Sequence, residues 1–270
     1  MINVCMELLK GVFLGIIEGL TEFLPISSTG HLILANEVIQ LGGGAEFTKA
    51  FEVIIQLGAI LAVVYLFWDK LWPFKGFRLR KDIFGMWLKI ALAVTPAAIL
   101  GFLYEETIDA KLFQPRPVAV ALIFYGAVLI CIESFLGSRP AKIIAASRIG
   151  WLTALALGLF QCLALIPGTS RSAATIIGGL LLGLSRAAAA EFSFFLAIPT
   201  MFGATLLKLC KICGAVSPLG WLIILAGFGA SYLTAVVVIR LFMDYIQKHN
   251  FKLFGWYRII LGLIVLWLLR

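Results

Sequence analysis

The chain has 270 residues, 62% of them hydrophobic and 13% charged, with a mean hydropathy of +1.05. Soluble domains are about half apolar and a quarter charged, so this balance excludes an ordinary soluble domain and defines a protein dissolved in lipid. The formal charge of +8 would suit nucleic acid, but the basic residues gather in short loops, chiefly Lys70, Lys75, Arg78, Arg80 and Lys81. That is the cytoplasmic-loop bias of a membrane protein, and no nucleic-acid partner is expected.

Taken from its start, Met1–Lys10 contains Glu7 and lacks both a basic opening and a small-residue cleavage site, so no cleavable signal peptide is expected. The stretch 8–40 is apolar but broken at Pro25-Ile-Ser-Ser-Thr-Gly-His31. Three spanning helices are then expected over 49–68, 84–104 and 118–136. A second broken stretch, 149–184, is interrupted at Pro167-Gly-Thr-Ser-Arg-Ser172, and three more spans follow over 188–208, 219–242 and 253–269. Proline has no amide proton and clashes with the turn before it, so a helix should stop at each break. The pieces beside each break are about 15 residues or fewer, which suits re-entrant hairpins better than full crossings.

Leu24-Pro25-Ile26-Ser27-Ser28 lies over Ile166-Pro167-Gly168-Thr169-Ser170, and Ala50-Phe51-Glu52 roughly answers Ala190-Glu191-Phe192. The fold expected is an all-α polytopic membrane protein, a single domain over 1–270 built as an inverted repeat. Its halves cover about 1–138 and 148–270, each a re-entrant hairpin followed by three transmembrane helices. The loop 69–83 should be cytoplasmic, as should Arg139, Lys142, Arg148, Lys248 and Lys252. The loop 105–116, with Glu105, Glu106 and Asp109, and both termini then fall outside; Lys208 and Lys211 fall outside too, against the bias.

The chemistry concentrates in the two breaks. Glu18 and Glu22 are four apart and share one helix face, inside an apolar segment where ionised carboxylates are costly. They repel each other unless a cation neutralises them, and a divalent cation, Mg²⁺ or Ca²⁺, would also bridge to phosphate oxygens. Ser27, Ser28 and Thr29 precede a helix start, where free amides and hydroxyls bind anions. His31, an imidazole that titrates near neutrality, could take a proton from a serine or from water. Arg171 stands in the otherwise uncharged stretch 149–185, and its planar fork suits phosphate. Thr169, Ser170 and Ser172 add donors, and Gly168 lets backbone approach a ligand. The alternative for Arg171 is a pairing that does no more than neutralise Glu18 or Glu22, which would bring the two islands together just the same.

Other polar residues have quieter explanations. Glu52 and Glu191 fit helix capping or hairpin packing. Lys89, Glu133, Arg240 and Arg258 fit snorkelling groups near helix ends, and His249 fits a solvated loop. Among five cysteines, Cys210 and Cys213 form an isolated C-x-x-C without further ligands, which fits a structural role.

These residues carry a resemblance. Glu18-Gly-Leu-Thr-Glu22 fits (E/Q)-x-x-x-E, and Pro167-Gly-Thr-Ser-Arg-Ser-Ala-Ala-Thr175 fits P-G-x-S-R-S-x-x-T. With Phe23-Leu-Pro-Ile-Ser-Ser-Thr-Gly-His31, Gly178-Gly-Leu-Leu-Leu-Gly-Leu-Ser-Arg186 and Ala190-Glu-Phe-Ser193, the whole chain resembles the undecaprenyl-diphosphate phosphatase family linked to bacitracin resistance. The resemblance implies a bacterial inner-membrane phosphohydrolase that returns the isoprenyl diphosphate to the monophosphate carrier of peptidoglycan synthesis. It also implies a periplasm-facing site, dependence on a divalent cation, and a fold that can dimerise. Glu18, Glu22, Ser28, His31 and Arg171 match the family's catalytic set. Ser27, Thr29, Gly168, Thr169, Ser170, Ser172 and Thr175 are expected to bind substrate. Ser28 or a water beside it is the candidate nucleophile, with His31 as base. A transporter or flippase of a phosphorylated isoprenoid lipid is the alternative, since broken helices in inverted repeats also build carriers.

Overall fold

The computed structural model describes residues 2–76, 78–112, 114–136, 140–212 and 216–268. Arg139 and Cys213 lie outside the described residues, as do the side chains of Glu105, Glu106, Asp109, Lys208 and Lys211.

The chain is all-α and polytopic. Five helices are long and apolar enough to cross a bilayer: α3 (Gly44–Leu66), α5 (Lys81–Leu112) over its first 24 residues, α6 (Pro115–Leu136), α9 (Arg186–Ile212) over its first 22, and α10 (Pro218–Lys248). The sixth expected span is α11 (Lys252–Leu268), whose 17 described residues are at the lower limit for spanning. Two helices precede each set: α1 (Ile2–Thr21) and α2 (Ser28–Val38) before α3, and α7 (Trp151–Cys162) and α8 (Arg171–Leu181) before α9. At 11 residues, α2 and α8 are each about 16 Å long, too short to cross.

Two boundaries depart from expectation. α1 has 20 residues rather than about 15, because Glu7 and Lys10 belong to the helix and use their charges. Lys10 Nζ donates to Glu7 Oε1 at 2.6 Å and to the carbonyl of Gln40 at 2.8 Å, while Gly42 N donates to Glu7 Oε2. This end of α1 is thereby tied to the α2–α3 turn. Second, 105–112 is not a loop; α5 continues to Leu112, since no glycine or proline falls between Gly101 and Pro115, which opens α6. Pro96 and Pro199 sit inside α5 and α9 without ending them. The basic loop holds a one-turn helix α4 (Trp68–Leu71) and a two-stranded ribbon, β1 (Phe74–Lys75) with β2 (Arg78–Leu79).

Backbone-to-backbone contact between small residues locks the bundle. α1 lies along α10, and a Cβ at Gly15 would sit 2.2 Å from the carbonyl oxygen of Gly227. One turn on, a Cβ at Gly19 would meet Ser231 O at 2.4 Å. α7 lies along α5 in the same manner, with Gly158 against Ala93 O. Lipid gives apolar helices no hydrophobic reason to associate, so close van der Waals approach does that work. The approach fixes the rotation of α1 and so turns Glu18, beside Gly19, into the protein. Beneath the two breaks lies an aromatic core in which Phe23 meets Phe194 edge-on at 5.1 Å.

Glu52 packs within the α2–α3 hairpin, accepting from Asn36 Nδ2 at 2.6 Å, and His249 is exposed and stacks on Tyr245. Glu191 neither caps a helix nor packs in a hairpin; it pairs with Lys70 of α4. Arg240 is exposed and Lys89 lies over the Trp151 ring. Two do not snorkel. Glu133 is buried and takes a bidentate bond from Arg186 at 2.9 and 2.7 Å, and Arg258 is fully buried.

Alanine normally stabilises a helix relative to glycine by up to about 1 kcal/mol. Gly229→Ala, with open space around its Cβ position, should follow that rule. Gly15→Ala should instead destabilise by about 1–3 kcal/mol through overpacking. Reversible unfolding in mixed micelles measures both, and equal effects would contradict the α1–α10 contact.

Candidate active site

The two breaks fold alike. Ser27 caps α2 and Ser170 caps α8, and each side-chain oxygen accepts from the amide three residues on, Gly30 N at 3.4 Å and Ala173 N at 3.3 Å. Both have positive φ, 73° and 69°, the only described non-glycine residues to do so. Such backbone costs about 1–3 kcal/mol and persists only where its surroundings enforce it. The caps correct the proline-based alignment by one residue: Ser27 corresponds to Ser170, not Thr169, because the second break is one residue longer. Gly168 has φ +91°, and a Cβ there would meet Val118 O at 2.5 Å.

The breaks also touch. Arg171, first residue of α8, donates from Nη2 to Glu22 Oε1 at 3.1 Å and from Nη1 to the carbonyl of Ser193 at 2.7 Å. Its guanidinium lies 5.9 Å from the Phe23 ring centroid. Ser172 donates to Leu24 O at 2.9 Å and lies 3.0 Å from Ser170 Oγ. Ser28 donates to the other oxygen of Glu22 at 2.7 Å. Glu22 thus receives a hydroxyl from its own loop and a guanidinium from the other. Thr175 Oγ1 lies 2.7 Å from Ser193 Oγ, so that hydroxyl pair braces the carbonyl that anchors Arg171.

His31 takes a different position. Its Nδ1 faces the carbonyl of Ser27 at 2.8 Å, and a carbonyl only accepts, so Nδ1 carries the proton. Nε2 then accepts from the Tyr257 hydroxyl at 2.7 Å, with the two rings stacked. Ser28 directs its proton at Glu22, whereas His31 and Tyr257 line an apolar groove of about 750 Å³ with Ile17, Leu20, Leu24 and Leu253. Thr29 faces the other side of α2, into a cavity of about 460 Å³ that it lines with Asn36, Glu52 and apolar side chains such as Leu32 and Val53.

Several groups at the breaks are buried with no hydrogen-bond partner: both oxygens of Glu18, Nε of Arg171 and Oγ1 of Thr169. Glu18 is entirely buried, and a carboxylate in that state calls for a cation or a proton. Among the described residues no group of three or more His, Cys, Asp or Glu side chains could cage a metal. Two carboxylates, such as Glu18 and Glu22, suffice for a cation like Mg²⁺ only where phosphates and water complete its shell.

Ser193, Tyr257 and Arg258 were missed in the sequence. Arg258 carried a usable signal, since an arginine within an apolar helix is a functional hypothesis by default; Ser193 stood in the run Ala190-Glu-Phe-Ser193 without a role assigned to it, and Tyr257 carried no signal apart from its neighbours in the fold.

Together, the apolar spans, the short capped helices and the buried Glu22–Ser28–Arg171 cluster beside an apolar groove define a multi-pass membrane protein with a polar cluster in its interior. The chain belongs to the family of bacitracin resistance protein BacA, whose model matches residues 11–264. It is 50% identical over 265 residues to the undecaprenyl-diphosphatase of Enterococcus faecalis, covering 96% of each chain. It is likewise 50% identical to undecaprenyl-diphosphatase 1 of Clostridioides difficile, covering 97% of this chain and 96% of the relative.

Thr175→Val leaves the Ser193 hydroxyl buried without its partner and should cost about 1–3 kcal/mol. Adding Ser193→Ala removes the orphan and should recover part of that loss. An unfolding series that shows the double variant weaker than the sum of its parts would contradict the pairing.

Proposed function

We propose that the protein hydrolyses undecaprenyl diphosphate to undecaprenyl phosphate and inorganic phosphate, recycling the lipid carrier for peptidoglycan synthesis. The observation that carries this proposal is the set of buried, unpartnered groups at the meeting of the two breaks, Glu18 and Arg171 Nε above all, beside an apolar groove. A polyanionic head with a long apolar tail satisfies both at once, and the relatives' names point to the same chemistry.

The isoprenyl tail lies in the groove and the diphosphate reaches the first turns of α2 and α8, where free amides and the helix dipoles favour anions. Arg171 binds the non-bridging oxygens through the donor that the protein leaves unused. Glu18 and Glu22 would hold a divalent cation, Mg²⁺ or Ca²⁺, which would neutralise charge on the phosphate oxygens. Ser28 Oγ attacks the terminal phosphorus as its proton passes to Glu22, and the bond to the bridging oxygen breaks to release the lipid monophosphate. Water then cleaves the phosphoserine. Direct attack by water, with His31 as base, is the second reading; it is favoured by the place of His31 on the groove wall.

We also infer an inverted repeat whose re-entrant hairpins are α1–α2 and α7–α8. Each half runs in the same order, α1 packs on α10 as α7 packs on α5, and the two caps share one unusual backbone state. The 23-residue α3 separates the α2–α3 turn from the basic loop that follows it. With that loop cytoplasmic, the α2 side faces the periplasm of a bacterial inner membrane.

Purified protein in detergent should release phosphate from undecaprenyl diphosphate, lose that activity to a chelator and regain it with Mg²⁺ or Ca²⁺. Ser28→Ala should lower kcat on the order of 10³-fold or more. Label from the terminal phosphate should be trapped on Ser28 after rapid quenching. An active Ser28→Ala variant would replace the covalent route by attack of water, and absence of release from the wild type with cation present would overturn the proposed activity.

A further inference from the structure

Arg258 is the largest fully buried side chain in the described structure, and no other described basic residue is as deeply enclosed. It lies on α11, more than 80 residues beyond the second break and outside both motifs. A buried guanidinium is normally matched to a carboxylate, because an unpaired charge in a membrane interior is costly. The bonds recorded for Arg258 go elsewhere. Nη1 donates to the carbonyl of Pro25 at 3.2 Å and Nη2 to that of Gly168 at 2.8 Å.

Those carbonyls are equivalent. Pro25 lies two residues before the capping Ser27, and Gly168 two before the capping Ser170. Each belongs to a turn, where no helix supplies it with an amide. Arg258 therefore makes one contact twice, once on each break, with one planar fork. Space for it is made by Gly126 of α6, where an added Cβ would lie 3.1 Å from Arg258 Cβ. The preceding residue, Tyr257, holds His31.

We infer that Arg258 is a positioning residue, which sets the two breaks at the separation where Glu22 and Ser28 of one face Arg171 of the other. This inference rests on the proposed phosphohydrolase activity for its kinetic test, though not for its structural one. Arg258 does not line the groove, so it acts on the reaction through the loops and not on the tail. Lysine keeps the charge but has a single ammonium and no planar fork. Methionine keeps much of the volume and loses both.

The test uses Arg258→Lys and Arg258→Met in the full-length protein, with phosphate release from undecaprenyl diphosphate as the readout. Both should lower kcat about 100-fold, the scale of a misplacement of about 1 Å. KM should move by no more than about threefold, because the groove is untouched. Guanidinium ion added to Arg258→Ala should restore a large part of kcat. Hydrogen exchange of Arg258→Lys should show the first turns of α2 and α8 loosening together. A Lys variant with wild-type kcat would reduce the role to charge, a Met variant with wild-type kcat would reduce it to packing, and either overturns the inference. So would exchange that quickens at one break only, or at neither. If Arg258→Met does not fold, the Lys variant and the exchange measurement decide. A wild type that releases no phosphate sinks the proposed activity and leaves the exchange result to judge Arg258.

Discussion

The bond between Glu22 and Arg171 is the constraint on which the rest of the site depends. The residues are 149 apart in sequence, and their side chains are 5% and 9% exposed. In an apolar interior an ion pair is no gift to stability, since removing two charges from water is expensive. It becomes tolerable when hydrogen bonds complete it. Ser28 and the Ser193 carbonyl complete this one, and the hydroxyl pair of Thr175 and Ser193 braces it from behind. A site assembled this way needs both breaks to arrive together.

Their arrival is enforced from outside the motifs. Close contact of Gly15 and Gly19 with α10 sets the rotation of α1 and so the direction of Glu18 and Glu22. Arg258 gathers the turn carbonyls of both breaks, and Ser172 adds a bond to Leu24. Strained caps at Ser27 and Ser170 are held in that frame. α2 and α8, too short to cross, thus stay ordered within the bundle, and a few buried polar groups beside them are left without partners.

Much of this was legible in the sequence, for reasons that are local. Proline followed by hydroxyl residues marked both breaks, and long uncharged runs marked the spans. Intramembrane charge marked Glu18, Glu22 and Arg171. What was hidden depended on tertiary partners. Glu7 lay ahead of the apolar stretch that begins at residue 8, yet it belongs to α1, where it bonds Lys10 and the amide of Gly42. Arg258 and Glu133 read as interfacial because they stand near helix ends, whereas burial is decided by what packs above them. The one-residue offset between the breaks was invisible until the caps could be compared, since proline alone does not say where the next helix begins. For His31, proximity in sequence suggested Ser28, but a carbonyl and a tyrosine from α11 claim both ring nitrogens.

The most direct measurement is a double-mutant cycle between the two breaks, Glu22→Gln with Arg171→Gln, followed by reversible unfolding in mixed micelles. A site held by the cross-loop pair gives a coupling energy of about 1–3 kcal/mol between these positions. Effects that add to within about 0.5 kcal/mol would mean that the breaks do not depend on each other, and would contradict a single site built from both.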